Sequence, residues 1–195
     1  MAKGANPVVL VHGILDTVAR LGYLESHLRE NGLPVYSLDL VPNDGRAGIE
    51  MLARQLAEFV ADRFPSGQFI DLVGYSMGGL VCRYYLQQLG GRARVRKLVA
   101  IATPHRGTWT AFLWWSAGVR QMRPGSEFLR ELNSDATSLD GIDILSLWTP
   151  FDLTILPAAS SVFSRGQTTR VNVAAHPWMA RDRRVVEIVD RFLAT

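Results

Sequence analysis

Residues 68–82 constrain this chain more than any other stretch, because they join a buried strand to a helix through a tight turn. The apolar run at 69–73 has the composition of a strand, and apolar residues at helical spacing follow from residue 80. Between them, residues 74–78 read Gly-Tyr-Ser-Met-Gly. The strand before and the helix after this Gly-x-Ser-x-Gly pattern disfavour a chance match in a glycine-rich turn.

The residue types in this turn suit a serine nucleophile. A serine hydroxyl reacts only when it is exposed, held rigidly and paired with a base. A tight turn projects Ser76 and strains its backbone, so Gly74 and Gly78 supply neighbours without side chains. The helix that begins at Met77 directs N–H groups and a partial positive charge to the place where an oxyanion would form.

Three segments resemble the α/β-hydrolase superfamily. Val-Gly-Tyr-Ser-Met-Gly-Gly at 73–79 is similar to the nucleophile elbow of bacterial lipases and esterases. The oxyanion-hole strand and loop of those enzymes resemble Val-Leu-Val-His-Gly-Ile at 9–14. A segment common in those lipases after the strand that follows the elbow resembles Thr-Pro-His-Arg-Gly-Thr at 103–108. The resemblance covers nearly the whole chain, whose short length is similar to that of minimal, lidless bacterial lipases. It implies a minimal three-layer α/β/α fold with a mostly parallel sheet and no large cap domain.

The pattern along the chain predicts the same class of fold. Apolar runs predict strands at residues 7–11, 33–38, 69–73, 95–102, 142–148 and 169–173, and helical spacing predicts helices at 19–31, 49–60, 77–90 and 185–193. This alternation indicates a parallel sheet of about six strands covered on both faces. Residues 108–137 have a less regular pattern. With 48% hydrophobic residues, the chain of 195 is expected to form a single α/β domain over residues 1–195.

Three polar side chains follow the ends of predicted strands. His12, Ser76 and Thr103 each come directly or nearly directly after an apolar run. Sites in parallel sheets gather at the carboxyl ends of the strands. The spacing therefore favours one shared site.

An acid and a base can be assigned by position. Asp152 lies shortly beyond the fifth predicted strand, where the resembled family carries its acidic residue, and His176 follows the last strand. The order Ser76, Asp152, His176 is the order expected for this fold. Asp143 is the rival acid but lies inside the strand, and Asp140 precedes the strand.

Three other histidines are present. His105, in the Thr-Pro-His-Arg-Gly segment, is the alternative base, although a role in bracing its loop is the stronger interpretation. His12 is expected to tie down the loop after the first strand. His27 lies within the first predicted helix.

The resemblance also implies two oxyanion donors. In the resembled family the backbone N–H after His-Gly is one donor, which here belongs to Ile14. The residue after the nucleophile supplies the other, which here is Met77. No metal or organic cofactor is implied, and there is no His or Cys pair at metal-ligand spacing.

A short uncharged segment is crowded with aromatic residues, namely Trp109, Phe112, Trp114 and Trp115. One interpretation is an acyl-binding wall or a surface that seeks a lipid–water interface, since exposed aromatic patches usually bind something. The other is that the rings pack beneath the sheet. The pattern leaves both open.

The net charge of the chain excludes few classes of binding partner. The net charge is +3, and the basic clusters at 92–97 and 181–184 are interpreted as solvated surface, with attraction to anionic lipid as the alternative. Nothing resembles a nucleic-acid module, and no run is long and apolar enough to span a membrane. The first residues lack the apolar region of a signal peptide, so we expect a cytoplasmic protein, or a secreted one whose signal was removed.

The sequence thus predicts a serine carboxylic-ester hydrolase, a triacylglycerol lipase or lipase-like esterase that acts on ester or lipid substrates through an acyl-enzyme. An acyltransferase or thioesterase with the same triad is the alternative, since the sequence does not separate water from another acceptor. A non-catalytic binding module is the third hypothesis, and the full set of candidate residues disfavours it.

Overall fold

The computed structural model describes residues 5–195, and a single sheet organises them. Its strands are β1 (Val8–Val11), β2 (Val35–Leu38), β3 (Ile70–Tyr75), β4 (Val95–Ile101), β5 (Asp143–Trp148) and β6 (Gln167–Arg170). They lie in the order β2-β1-β3-β4-β5-β6, and each neighbouring pair is parallel. The predicted mostly parallel sheet is therefore confirmed.

Helices cover both faces of this sheet. They are α1 (Gly22–Glu30), α2 (Ile49–Arg63), α3 (Met77–Gln88), α4 (Ala117–Gln121), α5 (Glu127–Ser134) and α6 (Arg183–Ala194). None of the helices in residues 5–195 is long and apolar enough to cross a bilayer.

In the inner strands of the sheet, alternate residues enter opposite apolar layers. In β1, Val9 and Val11 pack in the layer that contains α2 and α3. Val8 and Leu10 pack in the layer that contains α1 and α6. Because both faces are buried, the strands read as continuous apolar runs instead of alternating ones. The predicted three-layer α/β/α arrangement is confirmed.

Strand order places a crevice beside β3. This strand lies between β1 and β4, and all of its residues are buried. The order changes direction between β1 and β3, since β2 lies on one side and β4 to β6 lie on the other. Loops that leave the carboxyl ends of strands at such a point diverge, and ligands of open α/β sheets bind in the crevice between them.

The irregular segment 108–137 contains short helices that its pattern did not predict. A 3-10 helix spans Trp109–Leu113, and α4 and α5 follow. In α5, the Ser126 hydroxyl caps the helix by accepting the N–H of Leu129 at 3.2 Å, and Phe128 and Leu132 are buried. A helix of two turns shows too few repeats for its period to stand out in the sequence.

The last strand lies earlier than predicted. The sequence predicts a strand at 169–173, whereas β6 spans Gln167–Arg170. The side chains of β6 are mostly exposed at the edge of the sheet, so they carry no apolar signal. Val171 and Val173, which supplied that signal, are buried after the strand has ended. Burial in a loop was therefore mistaken for burial in a strand.

Candidate active site

Ser76 occupies the turn between β3 and α3 in a strained conformation. Its φ is 54° and its ψ is −123°. A non-glycine residue in a sparsely populated region of this kind costs about 1–3 kcal/mol, and such residues cluster at functional sites. The surrounding structure holds the turn, because the N–H of Ser76 donates to the carbonyl of Ile101 at 2.8 Å.

The glycines around Ser76 are required by close packing. A Cβ on Gly74 would lie 2.5 Å from the Cα of Gly79, and a Cβ on Gly78 would lie 2.3 Å from the carbonyl oxygen of Val11. A Cβ on Gly79 would lie 2.0 Å from Oγ1 of Thr103. Any side chain here would therefore push α3 away from the ends of β1, β3 and β4.

The structure brings Ser76, His176 and Asp152 into one hydrogen-bonded chain. His176 Nε2 lies 3.1 Å from Ser76 Oγ, and His176 Nδ1 lies 2.6 Å from Asp152 Oδ2. Because the carboxylate accepts the Nδ1 proton, Nε2 presents its lone pair to the serine hydroxyl. This tautomer is the one that a general base needs.

The carboxylate of Asp152 is fixed by the turn in which it lies. Its Oδ1 accepts the backbone N–H groups of Thr154 at 2.9 Å and Ile155 at 2.8 Å. Its Oδ2 is left to accept from His176. The side chain is almost fully buried, so its orientation does not depend on solvent.

The two rival acids lie away from His176. Asp143 is exposed as the first residue of β5, at the amino end of the sheet. Asp140 forms an ion pair of 2.9 Å with Arg165. Of the three acids considered from the sequence, the structure brings only Asp152 to His176.

His12 braces its loop, as its position suggested. Its Nε2 accepts the N–H of Leu40 at 2.9 Å, and its Nδ1 donates to the carbonyl of Gly13 at 2.8 Å. His27 lies on α1 with its Nε2 3.1 Å from the side-chain amide nitrogen of Asn31. Neither imidazole is in hydrogen-bond contact with Ser76 among the described residues.

His105, the alternative base, lies in a separate cluster. Its Nδ1 is 3.4 Å from Nη1 of the buried Arg83, and its ring stacks on Phe163 at 4.5 Å between centroids. Burial lowers the pKa of His105 well below its usual value, and the charges of Arg83 and Arg106 lower it further. The structure therefore does not bring His105 to Ser76.

The two predicted oxyanion donors lie beside Ser76. Met77 is the first residue of α3, where N–H groups have no partner within the helix. A Cβ on Gly13 would lie 3.0 Å from the Cβ of Ser76, so the loop that leads to Ile14 contacts the serine. In the part of the chain that the structure describes, neither N–H donates to a backbone carbonyl. Both are available to an oxyanion, and their role as donors stays a prediction.

Asn43, which was not predicted as a site residue from the sequence, holds the loop that carries Ile14. Its carbonyl accepts the N–H of Leu15 at 2.7 Å, and its side-chain amide donates to the carbonyl of Asp16 at 2.7 Å. Leu15 has a φ of 57°, which is rare for a leucine. Asn43 and Asp16 are 27 residues apart in the chain, so a local sequence pattern does not reveal their contact.

An apolar cavity of about 530 Å³ opens beside Ser76. Its apolar walls come from four separate segments and include Ile14, Leu15, Ala111, Leu113, Trp114, Val119, Met122, Leu153 and Ile155. Two threonine hydroxyls in the wall are already paired, since Thr108 Oγ1 and Thr110 Oγ1 donate to the carbonyl of Thr154 at 3.0 Å and 2.7 Å. The cavity therefore offers a ligand mainly apolar contacts.

The aromatic segment is exposed, so the interpretation that its rings pack beneath the sheet is wrong. Trp109, Phe112, Trp114 and Trp115, which we call the aromatic rim, are 60%, 46%, 59% and 80% exposed. Trp114 lines the cavity together with Leu113, and the other three rings lie outside it. Leu153 and Ile155, which follow Asp152 in the chain, also line the cavity and were not predicted from the sequence.

The assembled residues can carry out acyl transfer. A serine hydroxyl meets an imidazole that a carboxylate orients, and backbone donors lie beside the hydroxyl. An apolar cavity adjoins the same oxygen and suits a hydrocarbon chain. Among residues 5–195, no cluster of three or more His, Cys, Asp or Glu side chains is arranged to hold a metal ion.

Comparison with known sequences gives a family for most of the chain. A family model described as palmitoyl protein thioesterase matches residues 7–135. The lysosomal thioesterase PPT2 of Mus musculus is 31% identical over 120 residues. That alignment covers 56% of this chain and 38% of the mouse protein, so the chain matches well under half the length of its curated relatives. The family match includes Ser76 and ends before Asp152 and His176.

Comparison with solved structures gives the fold. The mature form of Bacillus licheniformis lipase BlEst2 has a TM-score of 0.81 at 16% identity, over 98% of this chain and 93% of that one. Aspergillus fumigatus lipase B has a TM-score of 0.82 at 18% identity, over 100% of this chain and 54% of that one. An extracellular α/β-hydrolase from a Paenibacillus species has a TM-score of 0.66 at 15% identity, over 97% of this chain and 98% of that one. The predicted α/β-hydrolase fold is confirmed.

Proposed function

Because the chain belongs to the palmitoyl protein thioesterase family, we propose that it is a serine hydrolase of fatty-acyl esters, with oxygen or sulfur in the leaving group. The observation that carries the proposal is the contact chain from Asp152 through His176 to Ser76, at the wall of an apolar cavity. Ser76 acts as nucleophile, His176 as general base and acid, and Asp152 as the group that orients the imidazole.

The reaction proceeds through two acyl transfers. His176 Nε2 takes the proton of Ser76 Oγ as that oxygen attacks the carbonyl carbon. The N–H groups of Ile14 and Met77 stabilise the tetrahedral oxyanion. His176 then gives its proton to the departing group, which leaves an acyl-enzyme. Water repeats the cycle, so that the fatty acid is released and Ser76 regains its proton.

Oxyester and thioester hydrolysis differ in what the leaving group demands of His176. An alkoxide is strongly basic and must receive a proton as it leaves. A thiolate, whose thiol has a pKa of about 8.5, leaves with less assistance. The site as built serves both reactions, and the family description favours the thioester. The lipase-like function predicted from the sequence and the thioesterase alternative are therefore two branches of the same proposal.

The acyl group is held in the apolar cavity and enters past the aromatic rim. Trp114 belongs to both, since it lines the cavity and is 59% exposed. The guanidinium of Arg123 lies 4.9 Å from the ring centroid of Phe112 and 5.2 Å from that of Trp115. Exposed tryptophans beside a cation suit a boundary between water and lipid. We therefore include action at a lipid–water interface in the proposal.

Hydrolysis of matched ester series tests the proposal. The first series is p-nitrophenyl esters from acetate to palmitate, and the second is palmitoyl thioester against palmitoyl oxyester with otherwise equal leaving groups. We expect wild type to prefer medium or long chains and to cleave both linkages, with the thioester faster. Ser76→Ala is expected to be inactive and to lose covalent labelling by a fluorophosphonate.

Three outcomes would change the proposal. Preference for acetate would remove the acyl role of the cavity. Labelling of Ser76 without turnover of any ester would favour transfer to an acceptor other than water. Failure of wild type to label at all would overturn the proposed nucleophile.

A further inference from the structure

The loop that carries His176 is held by two buried side-chain hydroxyls, one at the end of β3 and one directly after β5. We propose that Tyr75 and Thr149 are positioning residues, which together clamp this loop so that one imidazole meets both Ser76 and Asp152. The inference rests on the proposed function, because it assigns a task that matters only if His176 is the base. Nothing in the motif around Ser76 assigns a role to either hydroxyl.

Tyr75 ties the nucleophile to the base. It is the last residue of β3 and directly precedes Ser76, and its hydroxyl donates to the carbonyl of His176 at 3.1 Å. Its ring lies 5.2 Å from the imidazole at an interplanar angle of 35°. The side chain is 2% exposed, and burial raises the pKa of Tyr75 above its usual range, so the hydroxyl keeps the proton that it donates.

Thr149 ties the acid to the base. It follows β5 directly, and its hydroxyl donates to the carbonyl of Val173 at 2.6 Å. The same oxygen accepts the N–H of Phe151 at 3.3 Å, within the turn that leads to Asp152. One buried hydroxyl therefore joins the turn of the acid to the loop of the base.

The loop needs this support because it leaves the sheet before it reaches the histidine. The ladder between β5 and β6 ends where the N–H of Val171 donates to the carbonyl of Trp148 at 2.8 Å. After that, the N–H of Val173 turns back to Val171, and the exposed Arg184 contacts the carbonyl of Asn172 at 3.1 Å. Among the described residues, the two hydroxyls make the hydrogen bonds from the ends of β3 and β5 to the backbone of residues 173–176.

The consequence for chemistry follows from the two short contacts of His176. Its nitrogens must stay 2.6 Å from one partner and 3.1 Å from the other. A displacement of about 1 Å in a catalytic group can lower the rate by about 10²-fold. Tyr75 directly precedes Ser76, and Thr149 lies in the turn that leads to Asp152. Together they fix the imidazole of His176 relative to both of its partners.

Conservative substitutions test the clamp. Tyr75→Phe and Thr149→Val keep the volume of each side chain and remove the hydroxyl. We expect each to lower kcat for a p-nitrophenyl ester by about 10-fold, with KM changed by less than about 2-fold, and the pair to lower kcat by about 10²-fold. Thr149→Ser keeps the hydroxyl and should restore most of the activity. Tyr85→Phe removes the hydroxyl of a tyrosine on α3 that makes no hydrogen bond among the described residues, and it serves as the control for loss of a hydroxyl outside the clamp.

A double-mutant cycle with His176→Ala separates positioning from general stability. If Tyr75 and Thr149 act through the imidazole, their substitution should lower kcat no further once His176→Ala is present, measured with an activated aryl ester. The proposal is overturned if Tyr75→Phe and Thr149→Val leave kcat unchanged, or if they cost the same factor in the His176→Ala background. If wild type hydrolyses no ester and Ser76 does not label, the proposed function fails instead, and the clamp fails with it.

Discussion

Two buried histidines in this molecule have opposite surroundings. His176 lies between a carboxylate and a hydroxyl, 2.6 Å from Asp152 and 3.1 Å from Ser76. His105 lies between a guanidinium and an aromatic ring, 3.4 Å from Arg83 and stacked on Phe163. A negative neighbour stabilises an imidazolium, whereas a positive neighbour opposes it.

This difference decides what each imidazole can do. Burial lowers the pKa of Arg83 to about 9, which still leaves the guanidinium charged at neutral pH. His105 beside it therefore remains neutral, and among the described residues its buried Nε2 has no hydrogen-bond partner. In the proposed mechanism, His176 takes the proton of Ser76 beside Asp152 and gives it to the leaving group. Both histidines are buried, so the charge of the neighbouring side chain distinguishes the proposed base, His176, from the structural His105.

The largest expected effect is the difference in kcat between a variant that lacks His176 and a variant that lacks His105. We expect His176→Ala to lower kcat by about 10⁴–10⁶-fold, because the serine then has no base. His105→Gln should leave kcat within a few-fold of wild type. Steady-state hydrolysis of p-nitrophenyl butyrate measures both. A greater loss in His105→Gln than in His176→Ala would reverse the two assignments.

The second effect is a lower free energy of unfolding when Arg83, which contacts His105, is removed. Arg83 is fully buried and donates to the carbonyl of Leu132 at 2.8 Å and to Oδ1 of Asn133 at 3.0 Å. Arg83→Ala would leave a cavity and remove donors from buried acceptors, which should lower the free energy of unfolding by about 2–4 kcal/mol. Urea denaturation measures it, with the exposed Arg54→Ala as control. Equal midpoints for the two variants would contradict the structural role of Arg83.

The third effect is a pH dependence of stability. The pKa of His105 is lowered in the folded protein, so only the unfolded chain binds a proton there as the pH falls below about 6.5. This contribution to folding is complete above pH 6.5 and decreases by up to about 1.4 kcal/mol for each pH unit below it. Urea unfolding at pH 7.5 and 5.5 should show a smaller decrease for His105→Gln than for wild type. Parallel decreases would mean that His105 is protonated in the folded state.

The smallest effect compares the cavities beside the two histidines. Trp114 lines the cavity at Ser76, and Phe163 lines a cavity of about 260 Å³ beside His105. We expect Trp114→Ala to lower kcat/KM for long-chain esters by about 5-fold and to leave acetate unchanged, because only a long chain reaches the indole. Phe163→Leu should leave the chain-length profile as it is. A changed profile in Phe163→Leu would place acyl binding in the second cavity.

Local patterns predicted most of the fold. The strands of the sheet and the helices between them follow from apolar runs and helical spacing, because each element buries a face against a neighbouring layer. The pattern failed at β6, where the apolar residues Val171 and Val173 are buried outside the strand. It also failed at α5, which is too short to display its period.

The candidate site was predictable in part. Ser76 stands out because strand, turn and helix are contiguous in the sequence, and the glycines needed for close packing lie within the same turn. Asp152 and His176 were predicted from their places after strands, from their order in the chain and, for Asp152, from the resemblance to the α/β-hydrolase superfamily. The contacts of Asn43, Tyr75 and Thr149 were missed, since each joins segments that lie far apart along the chain.

The sequence by itself determined the layered fold, the turn that projects Ser76 and the set of candidate acids and bases, because these depend on residues adjacent in the chain. Tertiary structure alone decided which acid contacts which histidine, which charged neighbour disfavours protonation of His105, and which loops line the cavity. Ser76 and His176 are 100 residues apart, and His176 and Asp152 are 24 apart. Hydrogen bonds and charge interactions act over a few ångströms of space, so they are set only when the packed layers bring such distant segments together.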